Sequence, residues 1–185
     1  MADYYFVSQL PSLDGLGENA DLPITEERFS ELCNRYLGKR AKFEIGKLTL
    51  VPPVNREKST SGLVETWNRG EQNLRISLAK MRAEKMKKPF ELEAANVPVE
   101  FTKAAQTAVE TESPLEAELF LNSFRLKLLE SIRPMDIFSD DYVFYYAIKL
   151  KLLTRIRKFD INVGENAYKD IYDSIMKTEK TEDLQ

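Results

Sequence analysis

The sequence predicts an all-α protein, an irregular bundle of about six helices whose N-terminal segment is either extended or helical. Three observations carry this prediction. The stretch SPLE at 113–116 offers a capping serine, a proline suited to the first helical position and a glutamate three residues after the cap. A second start, SDD at 139–141, precedes a long apolar run. With seven glycines and eight prolines, the chain is also poor in the residues that tight β-turns require.

The first third of the chain contains one clear helix and two ambiguous segments. Residues 4–10 are rich in aromatic side chains and fit a buried strand or a short helix equally. Thr25 is expected to cap a helix that Gly38 stops. The apolar face of this helix consists of Phe29, Leu32, Cys33, Tyr36 and Leu37. Residues 39–51 fit a strand or a helix, and Pro52 and Pro53 end the segment either way.

The middle of the chain predicts one long helix and one short one. Residues 62–88 follow a three-to-four apolar spacing after possible caps at 59–61, and Pro89 stops the helix. The chain could divide into two units near 89–98. Residues 100–111 form a shorter helix with a face of small side chains that lets another helix approach closely. That face consists of Ala104, Ala105 and Ala108.

Three further helices are expected towards the C-terminus. Residues 115–132 are apolar around most of the helix circumference, which favours a central position in the bundle. Residues 142–159 follow, with acidic side chains just before them and basic ones at their end, as the helix dipole prefers. A last helix is predicted over 165–177, and 178–185 is expected to fray. Residues 1–177 would then form a single helical domain.

Composition limits the classes of function. The chain has 185 residues, 43 % of them hydrophobic and 31 % charged, which is enough to bury a core under a charged surface. The net charge of −3 and the isoelectric point near 5.3 exclude a globally basic nucleic-acid binder, although a local basic patch remains open. Histidine is absent, so the commonest general base and metal ligand are missing. We therefore expect no catalytic site, no cofactor and no bound metal.

The N-terminal sequence and the overall hydropathy predict a soluble, cytoplasmic protein. The opening MADYYF lacks the basic region and the long apolar core of a signal peptide. No apolar run approaches the roughly 20 residues that a membrane-spanning helix needs. We expect no direct membrane insertion. The single cysteine, Cys33, excludes an internal disulfide, and its place on an apolar helical face predicts a buried core thiol, not a nucleophile.

Charge is segregated along the chain. Residues 75–88 contain six basic side chains and one acidic one, whereas 91–118 contain seven glutamates and one lysine. Residues 142–158 contain five basic side chains and no acidic one. Antiparallel helices could pair these blocks across the bundle, or the blocks could face partners.

The basic block is the candidate partner-binding site. Its members are Arg75, Lys80, Arg82, Lys85, Lys87 and Lys88. Such a run could bind phosphates. A solvated helix face with a dipole-favoured C-terminus is the preferred interpretation, because Phe90 is the only aromatic residue nearby and single-strand binders need stacking platforms.

Two further clusters have a structural and a functional interpretation. The glutamates Glu110, Glu112, Glu116 and Glu118 could suggest a metal site. Helical di-metal sites normally add histidines, so capping and surface charge are favoured. The tyrosines Tyr142, Tyr145 and Tyr146 could line a pocket or an interface. Packing in the core with one hydroxyl reaching solvent is favoured instead.

Three segments of the chain look familiar when taken together. They are YYFVSQLP at 4–11, SPLEAE at 113–118 and YAIKLKLLTR at 146–155. In this order they resemble an uncharacterised bacterial family that is encoded among the subunits of V-type (A/V-type) ATPases. Trp67 and the helix at 74–82 also resemble the middle region of that family. Its place in such operons is that of the C-type component, which is d-like in eukaryotic terms.

The resemblance implies a non-catalytic adaptor. The C-type component of V-type ATPases is an all-helical, funnel-shaped protein that seats the central rotor stalk on the membrane ring and has no active site of its own. The implied partners are therefore other ATPase subunits, in the central stalk and the membrane ring. The implied location is the cytoplasm, peripheral to the inner membrane through these partners. The resemblance assigns no individual binding residues.

Two alternatives belong to different functional classes. The chain could be a stand-alone module that binds nucleic acid or another anionic partner through residues 75–88, in which case charge reversal at Lys85 and Lys88 should abolish salt-sensitive binding. An enzyme would have to build its site from Glu, Asp, Lys and Tyr alone, and would need a deep cleft with buried carboxylates.

Overall fold

The protein is all-α. The computed structural model describes residues 4–16, 21–53, 57–90, 97–158 and 171–172, and these contain seven helices of the bundle and no strand, which confirms the predicted class. The helices are α1 (Tyr4–Ser8), α2 (Glu26–Tyr36), α3 (Lys39–Lys47), α4 (Gly62–Lys85), α5 (Val99–Glu110), α6 (Pro114–Ser131) and α7 (Asp140–Arg157). Over the described part of the chain, each helix falls short of the length and hydropathy that a bilayer-spanning segment requires.

Four helices begin at side-chain caps that the sequence predicted. The hydroxyl of Thr25 accepts a hydrogen bond from the backbone N–H three residues later, at 3.2 Å, and that of Ser61 does so at 3.2 Å. Ser113 and Ser139 cap α6 and α7 in the same way, at 3.3 and 3.1 Å. Each cap satisfies a backbone donor that the helix leaves unpaired, an effect of about 1 kcal/mol.

Both ambiguous N-terminal segments are helical. The segment at 4–10 forms α1, because a single helical turn suffices to bury Phe6 completely. The segment at 39–51 contains α3, which buries Ala41 and Glu44 one turn apart. Gly38 does not stop α2 through a left-handed residue, as predicted. Leu37 ends α2 with an N–H bond to the Cys33 carbonyl, and Gly38 precedes α3.

The long helix α4 ends three residues before the predicted boundary. The N–H groups of Lys87 and Lys88 bond back to the carbonyls of Glu84 and Ala83, at 3.0 and 2.9 Å. This pair of bonds is the Schellman arrangement, which requires a left-handed residue just after the cap. Lys87 occupies that place with φ of 54°, where glycine is usual. The chain therefore leaves the helix before Pro89 can act as the stop.

Helix α7, and not α6, is the most buried helix. Residues 143–150 of α7 are all buried, and the helix packs against α2, α3, α4 and α6. Helix α6 was expected to be central, yet Leu119 and Phe120 remain 39 % and 37 % exposed. The reason is that α6 turns Asn122 and Arg125 inward, so part of its apolar surface faces outward.

A second apolar cluster lies between α4, α5 and α6. The predicted small-residue face of α5 is buried and packs in this cluster beside α4. Its members are Leu74, Leu78, Phe101, Ala104, Ala105, Ala108 and Leu121. Gly70 permits the contact between α4 and α6, because a Cβ atom there would lie 2.6 Å from Leu128 Cδ2. The predicted helix at 165–177 lies outside the described residues except for Ile171 and Tyr172, and the tail at 178–185 lies wholly outside them.

Candidate partner-binding surface

The loop between α6 and α7 is a tight turn that is bonded internally. As predicted, α6 ends before Arg133 and Pro134. The Asp136 carbonyl accepts hydrogen bonds from the N–H and the hydroxyl of Ser139, at 3.2 and 2.7 Å. The Asp136 carboxylate accepts a third from the Phe138 N–H at 2.9 Å. These bonds hold the loop in one shape through its own residues.

The loop presents apolar side chains to solvent. Met135 is fully exposed, Ile137 is 43 % exposed, and Tyr4 of α1 is 72 % exposed. The ring of Tyr4 stacks on that of Phe138 with 5.5 Å between centroids, which joins α1 to the loop. We call Tyr4, Met135, Ile137 and Phe138 the apolar tip. Neighbouring apolar side chains exposed in this way are characteristic of a surface that binds a partner.

The N-terminal segment is anchored firmly beneath the apolar tip. Phe6 is completely buried, and its ring lies 6.2 Å from that of Tyr36. The hydroxyl of Tyr146 donates to the Pro11 carbonyl at 2.8 Å. Lys149 of α7 donates to the Asp14 carboxylate at 2.5 Å. Tyr4 is thus held in place by the segment that follows it.

Lys149 joins the N-terminal segment to α6 and α7. Its ammonium donates to Asp14 and to Glu130, both at 2.5 Å, and to the hydroxyl of Tyr145 at 3.2 Å. The Lys149 hydrogen bond holds the pKa of Asp14 below its usual value, although burial opposes this. Burial disfavours the charged form of Lys149, but its bonds to Asp14 and Glu130 outweigh this and raise its pKa.

Tyr145 and Tyr146 belong to the core, as predicted. Both rings are buried, and the Tyr145 hydroxyl donates to Glu130 at 2.6 Å. Burial raises the pKa of Tyr145 to about 12. Arg133 lies 3.2 Å from the Asp14 carboxylate and 3.8 Å from that of Glu130, which completes the network. These groups fix the base of the α6–α7 loop.

Carboxylates surround the N-terminus of α4. Glu44 of α3 accepts hydrogen bonds from the hydroxyls of Ser59 and Thr60, at 2.7 and 3.0 Å. The carboxylate of Glu65 accepts from the Ser59 N–H at 2.6 Å. The hydroxyl of Ser61 donates to Asp141 of α7 at 2.6 Å. The hydroxyl-rich turn at 59–61 therefore ties α3, α4 and α7 together.

A cavity of about 400 Å³ opens beside this turn, between α3 and α4. Leu48, Pro52, Val64 and Asn68 lie on its walls together with Glu44. Burial opposes ionisation of Glu44, but the bonds from Ser59 and Thr60 prevail and lower its pKa. A carboxylate held ionised in this way is suited to fastening the turn.

A second polar network crosses the interior between α4, α6 and α7. Arg125 donates to both carboxylate oxygens of Glu71 at 3.0 Å, and to the side-chain carbonyl of Asn122 at 3.3 Å. Glu118 lies 3.6 Å from Arg125 and also pairs with Arg155. The acidic block around α6 is thus partly matched to the basic block of α7.

The predicted basic site does not form one stripe. Arg75 and Lys80 are five residues apart on α4, which places them about 140° apart around the helix. Arg75 and Arg82, seven residues apart, share an exposed face. Arg75 also lies 3.4 Å from the Pro52 carbonyl.

The remaining members of the basic block lie at the end of α4. The ammonium of Lys85 donates to the Val109 carbonyl of α5 at 2.7 Å. Lys87 and Lys88 follow the helix and are exposed. With respect to the other described residues, none of the six basic side chains forms an ion pair. Binding of nucleic acid through this block stays a prediction.

The glutamate-rich stretch and Cys33 have structural environments. Glu110 accepts from Gln106 at 2.7 Å, and Glu118 pairs with Arg155. Among the described residues, no group of three or more potential ligands is placed to hold a metal ion. Cys33 is buried, as predicted, and burial raises its pKa to about 12.

The apolar tip is the part of this surface that sequence reasoning missed. Its signal was the run Met135, Ile137 and Phe138 in the short connection between two helices. Connections of this kind are usually polar, so apolar side chains there indicate either packing or binding.

Comparison of the chain with known proteins adds no relative. No family model, no curated protein and no solved structure matches it.

Proposed function

We propose that this chain is a non-catalytic adaptor subunit of a bacterial V-type ATPase, which links the central rotor stalk to the membrane ring by helix packing. The observation that carries the binding role is the apolar tip. Met135 is fully exposed beside the stacked rings of Tyr4 and Phe138, on a loop that its own hydrogen bonds hold rigid. A preformed apolar surface of this kind can bind a partner at a low entropic cost.

The assignment to an ATPase rests on the resemblance of three segments, and these segments meet in the fold. Tyr146, in the segment 146–155, bonds to Pro11 at the end of 4–11. Arg155 pairs with Glu118, the last residue of 113–118. The segments thus form one connected part of the molecule around α7. This supports a likeness in the central scaffold, with α7 at its centre.

The buried charges also support a scaffold role. Glu71 is 1 % exposed and both its oxygens bond to Arg125, so this carboxylate is used to join α4 to α6. Glu44 is used in the same manner to join α3 to the turn before α4. Groups committed to such bonds serve folding, whereas a general base must be free to reach a substrate.

The test is recovery of the complex from cells that make this chain. A tagged chain should co-purify with stalk and ring proteins of the ATPase. The double variant Met135→Ser/Ile137→Ser should recover at least about tenfold less of them, because it removes exposed apolar contact area. The control variant Met86→Ser/Val99→Ser changes side chains that are equally exposed but lie outside the tip, and it should recover the wild-type amount.

Two outcomes would contradict the proposal. One is an intact ATPase, purified through a different component, that is complete and active without this chain. The other is a tagged chain that returns from the cells with other proteins and with no part of the ATPase.

A further inference from the structure

The apolar tip lies within an acidic surrounding. Between residues 135 and 141 the loop and the first turn of α7 contain Asp136, Asp140 and Asp141. The nearest cation along the chain, Arg133, is engaged with Asp14 at 3.2 Å and with Glu130 at 3.8 Å. Exposed apolar side chains are thus flanked by excess negative charge.

From this arrangement we infer that the apolar tip binds a basic amphipathic helix of a partner protein, one with an apolar stripe flanked by Lys or Arg. The inference rests on the proposed function, and it names the chemistry of the segment that an ATPase partner would supply. The apolar stripe of that helix covers Met135 and Ile137, and its basic flanks face Asp136 and Asp141.

The side chains of the tip suit this kind of ligand. Methionine is unbranched and polarisable, and it adapts to the apolar face of a helix without demanding one shape. The ring pair of Tyr4 and Phe138 adds a flat apolar wall next to it. Recognition of helices by apolar grooves uses such contacts at every third or fourth residue of the ligand.

Charge decides between the classes of partner. Carboxylates beside the tip attract Lys and Arg, and they repel the phosphates of nucleic acids and of anionic membranes. A symmetric contact between two copies of the tip would bring Asp136 of one copy towards the same acidic surface of the other. A basic protein segment is therefore the occupant that fits both the apolar and the charged features.

The tip also needs little ordering before it binds. The Asp136 carbonyl and carboxylate already receive three hydrogen bonds within the loop. Asp141 is positioned by the hydroxyl of Ser61 at 2.6 Å. A surface whose apolar and acidic groups are both fixed loses little entropy on association, which favours affinity and specificity together.

The first experiment compares two synthetic helical peptides of about 18 residues, or five turns. Both have leucines on one face, and the other face is lysine in one peptide and glutamate in the other. We expect the lysine peptide to bind the full-length chain in isothermal titration calorimetry, and the glutamate peptide to bind at least about tenfold more weakly. Added salt should weaken the lysine peptide's binding.

The second experiment locates the binding. Met135→Ser/Ile137→Ser should weaken binding of the lysine peptide by about tenfold or more. Asp136→Asn/Asp141→Asn keeps the oxygen acceptors of the loop and of Ser61, so it should fold normally while reducing the salt dependence. The control Met86→Ser/Val99→Ser should bind as the wild type does. Circular dichroism and thermal unfolding would verify that each variant is folded.

Several results would overturn the inference. Equal binding of the two peptides would remove the role of charge, and loss of binding in the control variant would remove the role of the tip. Concentration-dependent self-association through the tip, seen by analytical ultracentrifugation, would identify a second copy as the occupant. Failure with the peptides while ATPase proteins still co-purify would refute this inference alone. Peptide binding without any co-purifying ATPase protein would refute the adaptor proposal alone.

Discussion

The guanidinium of Arg125 and the carboxylate of Glu71 form a doubly hydrogen-bonded ion pair in the interior, between residues 54 positions apart in the chain. Both side chains are almost completely buried. The pair joins α4 to α6, and Asn122 and Glu118 support the same guanidinium from α6. Pairs of this kind contribute geometry more reliably than they contribute stability.

Replacing one partner of this pair should cost far more than replacing both. Glu71→Met leaves Arg125 as an uncompensated buried charge, and we expect a loss of about 3–5 kcal/mol in the free energy of unfolding. Glu71→Met/Arg125→Met should be closer to the wild type, because apolar side chains of similar length fill the space. Urea unfolding of the two single variants and the double variant measures this. A double variant that loses the sum of the two single losses would contradict it.

Lys149→Met should destabilise the protein by about 1–3 kcal/mol, because it removes the donor shared by Asp14, Glu130 and Tyr145. The effect should be largest at the N-terminus, where Asp14 loses its principal partner. Hydrogen exchange would show faster exchange in α1 than in α4. A matched control is Lys151→Met, whose ammonium pairs only with Glu26 at 3.1 Å on a more exposed site. Equal losses for the two variants would contradict the role of Lys149.

Acid should weaken the fold through Asp14, Glu44 and Glu130. Each has a pKa below its ordinary value in the folded state, where hydrogen bonds prevail over burial. The stability that they contribute is therefore present above the unfolded-state pKa of about 4, and it is lost as the pH falls through the folded-state values. In urea unfolding, the deficit of Glu44→Gln relative to wild type should shrink from pH 7 to pH 3.

The control for this pH experiment is a variant that changes no titrating group. Leu129→Ala removes a completely buried side chain from the core, and its deficit should stay constant over the same pH range. A Glu44→Gln deficit that is also constant with pH would show that the Ser59 and Thr60 bonds do not favour the ionised form.

Lys87→Gly should stabilise the protein by about 0.5–1 kcal/mol, because glycine adopts the left-handed conformation without steric cost. Lys87 has φ of 54° at the end of α4. Lys87→Ala removes the same charge and retains the Cβ atom, so it should give no such gain. Thermal unfolding of the three proteins measures the difference. A gain for alanine equal to that for glycine would assign the effect to charge.

The sequence predicted helices well where the signals were local. The caps at Thr25, Ser113 and Ser139 and the small-residue face of α5 each depend on residues within one or two turns, and the structure bears them out. The end of α2 at Tyr36 escaped prediction, because Gly38 reads locally as a stop and in fact precedes α3.

The interior polar groups escaped prediction because their partners are distant in the chain. Arg125 lies at helical spacing from Leu121 and Leu129, which was a sign that it faces inward, but nothing local identified Glu71 as its partner. Lys149 stands within a run that is otherwise apolar, and its bonds reach back to Asp14. The proposed binding surface depends on such distant contacts too, since Tyr4 meets Phe138 only in the folded chain.

The anchoring of the N-terminal segment by α7 also constrains how the protein is made. Pro11 and Asp14 leave the ribosome 135 residues before Tyr146 and Lys149, their respective partners. At bacterial rates of synthesis this interval is roughly 7–27 s. For that time the aromatic beginning of the chain waits without its final neighbours. A nascent polypeptide released before α7 is translated would expose those rings, and it would be a natural client for chaperones and proteases.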